Sequence, residues 1–526
     1  MSAASLGGLL RERAATAPDR PLLRFGSVTL TVGRVADRVG RLANVLRAHG
    51  VERGDRVAVM APNGAAFPVA WLAIASLGAV AVPVNIGYRS TDLAHVIGDS
   101  GARAALAGGA DAATALLRAG VERVGLLDPA DAGPAPDVPA GPGTFDAGTE
   151  LAGAPAAFDP PDLGPDDVAN IQYTSGTTGF PKGCVLTHGY WLRTAEIVRG
   201  MLGVTETDVD LTAQPFSYMD PQWNTVLCLS AGIPLVILPR FSASTFWKSV
   251  REHGVTFFYV LGTMPVFLLR QPPDPADREH DVRIVLCSGI VPELHASMEE
   301  RWGVPWREAY GMTETGADLF VPMDDTSSVG SGAIGVPVPG KEARIVDGEL
   351  VVRGEPMMRG YWNDPAATAE RIRDGWLYTG DLARRDDRGR FHLVGRRKDM
   401  IRRGGENIAA AEVEAVLVRH PAVRAAAVVA VHDDLRGEEV KAFVQVGRPT
   451  DPAELIAFVR ERLAPFKVPR FLEYVDEFPM TPSERIAKHL LPTGRGAAHD
   501  MRAHDMRAGE AAPHDGPANG GNPVGL

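Results

Sequence analysis

Cysteine is scarce in this chain: three in 526 residues, Cys184, Cys228 and Cys287, with no C-x-x-C pair among them. Such spacing excludes a disulfide framework and a thiolate zinc site. It fits a reducing compartment, so a cytoplasmic location is expected. An excess of positive charge is missing too. Lys and Arg total 54 against 65 Asp and Glu, a net −11, so nothing in the overall field draws nucleic acid or an anionic membrane, and neither is expected as a partner. The first stretch, MSAASLGGLLRERAA, has no basic leader before a long apolar core, and no signal peptide is expected. Long apolar runs are absent with one exception. Residues 65–84 are uncharged and approach membrane-spanning length. They hold Pro68, Gly78, Pro83 and many alanines, and read as a buried helix turning into a buried strand, so no membrane span is expected.

What is present describes an ordinary globular chain, 45% apolar and 23% charged, and too long for one core. Short apolar strands alternate with helical stretches. Residues 56–61, 79–84, 234–238, 255–261 and 282–287 read as strands; 67–77, 244–253, 264–269 and 293–302 read as helices. Another alternation is read at 100–109 and 123–127. Repeated βα alternation implies an α/β fold with mostly parallel, helix-covered sheets, whose ligands gather at the carboxyl ends of strands. Residues 128–165, dense in Pro, Ala, Gly and Asp, read as a mobile surface excursion. After Gly395 the pattern changes to a small α+β unit, with helices at 410–418 and 453–463 and strands at 425–431, 440–446 and 471–478. The expected division is 1–397, a mobile cap at 398–494, and a disordered tail at 495–526. The tail carries the near-repeat AHDMRAHDMRAGEAAPHDG, whose His/Asp pairs can bind metal weakly; a disordered tail without function is the expectation.

Four motifs carry chemistry. YTSGTTGFPKGCVLT, residues 173–187, sets Gly176, Gly179 and Gly183 among Thr174, Ser175, Thr177 and Thr178, with Lys182 behind them. Glycines let backbone N–H groups approach oxygens, hydroxyls donate further bonds and lysine adds a point charge, which suits a polyphosphate. The spacing is not that of a Walker loop, and a flexible surface loop has the same letters. YGMTETG, residues 310–316, stands at the end of a βα unit. A tyrosine face can stack on a purine and a glutamate in a polar turn can hold Mg2+, although Glu314 can equally cap a helix. In WLYTGDLA, Asp381 can accept from both ribose hydroxyls or simply form an Asx turn. GRRKDMIRRGGENI, residues 395–408, is either a solvated basic face or a place where Arg396 meets phosphate and ribose.

Together these segments resemble the adenylate-forming superfamily of acyl-CoA synthetases, adenylation domains and luciferases. The motifs stand in that family's order and spacing, and the resemblance covers about residues 8–494. GGENI and the following AEVE look most like medium-chain, aryl and carnitine-type CoA ligases. The resemblance implies a large domain with a small distorted barrel beside its sheets, and a mobile cap. It implies ATP, Mg2+, CoA and a small carboxylic acid as partners; a homodimer is compatible with the sequence and not legible in it. It further implies that Thr174, Ser175, Gly176, Thr177, Thr178, Gly179 and Lys182 cradle the β- and γ-phosphates. Thr313 and Glu314 would hold the α-phosphate and Mg2+. Tyr310 would stack on adenine, with Gly311, Ser288 and Gly289 nearby, while Asp381 and Arg396 hold the ribose. Lys398 would be the hinge and Gly404 and Gly405 the walls of a pantetheine tunnel. Tyr218, Trp223, Tyr259 and Met312 would shape the acid pocket, aromatic and compact enough for an aryl or short acid.

One position departs from the family. Relatives carry a Gly-Lys pair near the end, whose lysine bridges the carboxylate and the α-phosphate. Here MTPSERIAKHL places Glu484 and Arg485 there. Arginine keeps the charge in a planar fork that can clamp two oxyanions, and Lys488 sits one helical turn away. Three readings follow: an AMP-forming acid–CoA ligase; an adenylating enzyme with another acid or acceptor, such as an amine, a carrier-protein thiol or nitrite; or a nucleotide-binding protein without turnover.

Overall fold

The runs RVAVM at Arg56–Met60, VAVP at Val80–Pro83 and AALA at Ala104–Ala107 are apolar on both faces, and they lie side by side and parallel within one sheet. Strands without a polar face must be covered on both sides. The computed structural model that shows this describes residues 3–127, 143–174, 181–403, 406–433, 436–481, 486–494 and 496–501. Contacts divide the chain into a larger unit, Met1–Leu393 with Met480–Arg485, and a smaller one, Val394–Pro479 with Ile486–Leu526.

In the larger unit the first sheet runs Thr144–Phe145, Arg123–Leu126, Ala104–Ala107, Arg56–Met60, Val80–Pro83, Val168–Thr174, Lys182–Thr187. The last two strands form an antiparallel hairpin. A second sheet sets Pro21–Phe25, Leu235–Ile237, Asp210–Thr212, Phe257–Leu261, Ile284–Ser288 and Trp306–Met312 in parallel. Beyond Trp306–Met312 it continues with antiparallel strands, among them Gly316–Phe320, Ala333–Pro337, Trp376–Arg385 and Glu349–Arg353. The small barrel expected beside the sheets takes the form of this extension.

Helix Ala66–Ser76 is apolar on every face and buried from Phe67 to Ser76, as residues 65–84 promised. Helices His188–Leu202 and Met219–Ala231 are buried along most of their length. Four buried polar side chains tie the last of these to the first sheet. Asn170 accepts from Trp71 Nε1 at 2.7 Å and donates to Gln222 at 2.8 Å; Gln222 donates to Gln172 at 3.1 Å, and Gln172 to the Ser217 carbonyl at 2.6 Å. A satisfied polar network of this kind fixes one arrangement of strand against helix. Among the described residues no helix is long and apolar enough to cross a membrane.

The smaller unit sets Glu406–Ala409, Met400–Arg403, Gly437–Val446, Phe471–Tyr474 and His499–Asp500 in one sheet, with Val423–Asp433 also paired to Gly437–Val446. Helices Ala410–Val418 and Pro452–Arg460 close its core over Val413, Leu417, Val428, Val444 and Leu455.

Two expectations need correction. Part of the excursion at 128–165 is ordered structure: Thr144–Phe145 forms an edge strand and Ala147–Gly153 a helix started by Asp146, whose carboxylate accepts from the Thr149 amide at 2.9 Å. Residues 128–142 lie outside the described ones. The tail expected from 495 onward is also structured at its start. His499–Asp500 pairs with Phe471–Leu472, and Met501 is buried.

Candidate active site

The motif YGMTETG stands, as expected, at the carboxyl end of a βα unit, where strand Trp306–Met312 follows helix Pro292–Trp302 and pairs parallel with Ile284–Ser288, but Glu314 caps no helix. Trp306–Met312 turns back directly into Gly316–Phe320, with Met312 opposite Gly316 and Gly311 opposite Ala317. Thr313, Glu314 and Thr315 therefore form the tip of a β-hairpin, closed by the Thr315 amide on the Met312 carbonyl at 3.1 Å. Glycine is required at 311, since a Cβ there would lie 2.0 Å from the Gly316 carbonyl oxygen.

The base of the hairpin brings two candidates together. Tyr310 donates its hydroxyl to Asp381 at 2.7 Å, and both are buried. Burial and then the Asp381 charge hold the Tyr310 hydroxyl well above its usual range, so it stays a donor. Asp381 owes its place to an irregular stretch of Trp376–Arg385. Gly380 has φ 75°, donates its amide to Glu349 at 2.8 Å, and the register against Glu349–Arg353 shifts there. The Thr379 hydroxyl accepts the Asp381 amide at 3.1 Å.

A tyrosine links the tip to Lys182. Tyr361 donates to Glu314 at 2.8 Å, and Lys182 lies over the Tyr361 ring, 5.3 Å from its centroid. Burial and the Glu314 carboxylate push the Tyr361 hydroxyl far up, which keeps it protonated. Lys182 also stands 3.8 Å from Asp364. Thr174 and Lys182 face each other across the hairpin that presents the loop. The Tyr361 segment is stitched to the same hairpin by the Trp362 amide on the Gly183 carbonyl at 2.7 Å.

A cavity of about 80 Å³ runs along the hairpin and gathers Trp223, Tyr259, Ser288, Tyr310, Gly311 and Met312. Trp223 and Tyr259 meet edge to face at 5.8 Å, and Tyr259 donates to Ser288 at 2.8 Å. Tyr218 is placed differently. It stands before helix Met219–Ala231, its hydroxyl accepts from Asn85 at 3.0 Å, and it is not part of the cavity's lining.

Several supporting residues carried no sequence signal. Glu308 accepts the amides of Gly289 and Ile290 at 2.6 and 2.8 Å, fixing the loop after Ile284–Ser288. Burial pushes its carboxyl up to about 7, against the pull of both amides. Lys341 is fully buried and donates to the carbonyls of Thr315 at 2.7 Å, Gly354 at 3.0 Å and Pro356, beside Asp318 at 3.2 Å. A lysine after a turn glycine reads as surface. Tyr361 is 47 residues from the glutamate it holds.

Ser175, Gly176, Thr177, Thr178, Gly179, Gly404, Gly405 and Arg485 lie outside the described residues, as does the side chain of Lys398. Arg396, the last residue of strand Phe391–Arg396, belongs to the smaller unit, whereas Asp381 belongs to the larger. Lys488 pairs within the smaller unit, 2.6 Å from Glu414 and 3.9 Å from Asp399.

Known proteins share this architecture. The family model for AMP-binding enzyme matches residues 10–362, and that for the AMP-binding enzyme C-terminal domain matches residues 412–485. A feruloyl-CoA synthase of an Amycolatopsis species is 36% identical over 506 residues, 92% of this chain and 97% of its own. A sulfoacetate–CoA ligase of Cupriavidus necator is 34% identical, over 92% of this chain and 96% of its own. The o-succinylbenzoate CoA synthetase of Bacillus subtilis, solved with its acyl-adenylate intermediate, superposes with a TM-score of 0.81 at 29% identity, over 92% of this chain and 97% of its own. On these two family models and this identity the chain belongs to the AMP-binding enzymes, the adenylate-forming family of acyl-CoA synthetases.

Proposed function

We propose that this chain is an AMP-forming acid–CoA ligase. It activates a carboxylic acid with ATP as acyl-AMP, releasing pyrophosphate, and passes the acyl group to the thiol of CoA. The carrying observation is the hairpin at Trp306–Met312 and Gly316–Phe320. Its base joins the adenine and ribose candidates through the Tyr310–Asp381 bond, and its tip joins Glu314 to Lys182 through Tyr361. The chemistry also needs a place for the acid beside the α-phosphate, and the cavity lies along the same hairpin. CoA ligases among the relatives support the acceptor.

In this reading Thr174, Lys182 and the loop between them hold the outer phosphates, Thr313 and Glu314 the inner one, and Asp381 and Arg396 the ribose. Lys398 is the hinge of the cap, and Gly404 and Gly405 line the path of CoA. Among the described residues Tyr361 is the one side chain bonded to the Glu314 carboxylate. Among the described residues no three His, Cys, Asp or Glu side chains gather there as a metal cage. A magnesium ion at Glu314 would take its other oxygens from phosphates and water, as that ion does, and when bound it neutralises phosphate charge. Attack of a carboxylate on the α-phosphorus brings two anions together, so the charges of Lys182 and Arg485 are the chain's main contribution to that step. The three cysteines are free and buried, which suits a reducing cytoplasm.

The test is pyrophosphate release with ATP, Mg2+ and a panel of aryl and short acids. Release should require an acid and Mg2+, a CoA thioester should accumulate, and Lys182→Ala should slow release by about 100-fold. Turnover that forms no thioester would overturn the acceptor. Silence with every acid, despite ATP binding, would overturn the activity.

A further inference from the structure

Residues 358–364, MRGYWND, belong to none of the four motifs, yet they join two of them. The Met358 amide donates to the Glu314 carbonyl at 2.7 Å, at the tip of the hairpin. Three further main-chain bonds run to strand Lys182–Thr187. The Arg359 amide donates to the Val185 carbonyl at 3.0 Å, the Val185 amide to the Gly360 carbonyl at 3.0 Å, and the Trp362 amide to the Gly183 carbonyl at 2.7 Å. The segment is thus a splint between the turn that carries Glu314 and the strand that starts with Lys182. It needs glycine at 360, where φ is 142° and a Cβ would lie 2.8 Å from Thr368 Cγ2. The Thr368 hydroxyl in turn accepts the Tyr361 amide at 2.8 Å.

On that splint the Tyr361 side chain meets both motifs. Its hydroxyl donates to Glu314 Oε1 at 2.8 Å, and its ring carries the Lys182 ammonium 5.3 Å from the centroid. A tyrosine hydroxyl needs only one acceptor, and a backbone carbonyl or water would serve it equally. The identity of the two partners is therefore what matters. On the adenylation reading, which this inference rests on, Glu314 holds the magnesium ion and Lys182 the outer phosphates. Glu314 is buried, and among the described residues no other side chain bonds its carboxylate. A carboxylate that ligates a metal depends on such a partner for its orientation. The Lys182 side chain is partly exposed, and its long flexible stem scatters its charge unless something seats it. The ring is one seat. Asp364 is the other: one carboxylate oxygen stands 3.8 Å from the ammonium, while its second accepts the Ala367 amide at 2.8 Å and starts helix Pro365–Arg371.

We propose that Tyr361 is a positioning residue that fixes Glu314 and Lys182 relative to each other, so that the metal and the outer phosphates meet a preset pair. The test uses full-length enzyme with ATP and with α,β-methylene ATP, whose α–β linkage adenylation cannot break. Calorimetric titration of Mg2+ in the presence of the analogue reads the metal without turnover, and pyrophosphate release reads the reaction. Tyr361→Phe keeps the ring and loses the hydroxyl, and should weaken Mg2+ by about 10- to 100-fold. Tyr361→Leu loses the ring as well, and should weaken the analogue at saturating Mg2+ by about a further 2- to 30-fold. Tyr361→Phe combined with Glu314→Gln should bind Mg2+ no more weakly than Glu314→Gln alone, because the hydroxyl acts through that carboxylate. Asp364→Asn keeps the helix start and the Tyr361–Glu314 bond, so its Mg2+ constant should match the parent's. Thermal melts guard against misfolding. An unchanged Mg2+ constant in Tyr361→Phe, or an equal shift in Asp364→Asn, overturns the inference and leaves adenylation standing. A parent enzyme that binds Mg2+ and the analogue but releases no pyrophosphate with any acid overturns adenylation, and the variants' Mg2+ constants still decide the inference. A parent that binds no Mg2+ with the analogue overturns both.

Discussion

Lys341 and Asp318 are both buried, 3.2 Å apart, under the turn that carries Thr313 and Glu314. Burial pushes the lysine down and the aspartate up, and each partly restrains the other. Three carbonyls, one of them Thr315's, use the lysine's hydrogens, and the Thr315 hydroxyl donates to Asp318. A buried ion pair is weak evidence for stability, but removing one partner strands a charge. Lys341→Met should therefore cost about 3–5 kcal/mol in denaturant unfolding, and Lys341→Met with Asp318→Asn clearly less than the two single losses summed. Because the pair holds the turn, the double variant should raise KM for ATP more than it lowers kcat. Additive losses with an unchanged KM would show that the pair does not position the turn. At this scale the sequence is legible where a residue sits inside its own local motif, as Tyr310, Glu314 and Asp381 do. Residues that act across the fold, such as Glu308, Lys341 and Tyr361, leave no local trace.

The same contrast governs the elements. RVAVM, VAVP and FFYVL were readable because strands covered on both faces are continuous apolar runs. GADLF at Gly316–Phe320 was not, since it opens with glycine and buries an aspartate; it is a strand because a lysine 23 positions later answers that charge. EARIV at Glu342–Val346 alternates polar and apolar through its first four residues, but it buries neither face fully and is too short for that alternation to stand out. The start of the tail is a similar case. Its composition reads as disorder, yet Arg470 reaches both Asp500 at 3.1 Å and Asp433 at 2.7 Å, and Met501 enters the core of the smaller unit. A chain ended at 494 should be less stable in that unit than one ended at 501, by about 2 kcal/mol from the methionine alone. Hydrogen exchange of Gly437–Val446 amides would read it, and equal protection in the two chains would show that the short strand adds nothing.

For the whole molecule, four motifs in register made the family legible before any coordinate, because spacing across hundreds of residues is hard to reproduce by chance. The position of Arg485 stands apart from that pattern and bears on the two half-reactions separately. Charge at the α-phosphate is needed while two anions are joined, and much less once the mixed anhydride exists. Arg485→Ala should slow acyl-AMP formation by about 100-fold and leave thioester formation from a supplied acyl-adenylate within a few-fold of the parent rate. Equal losses in single-turnover measurements of both steps would refute that assignment. The burial of Cys184, Cys228 and Cys287, each with burial holding its thiol well above the usual range, has a practical sequel. The native protein should be nearly silent to maleimides and other thiol-directed dyes, so one cysteine introduced on the surface of each unit would label cleanly. Energy transfer between the two dyes would then show whether the smaller unit moves through a catalytic cycle, without stripping the chain of its own sulfur.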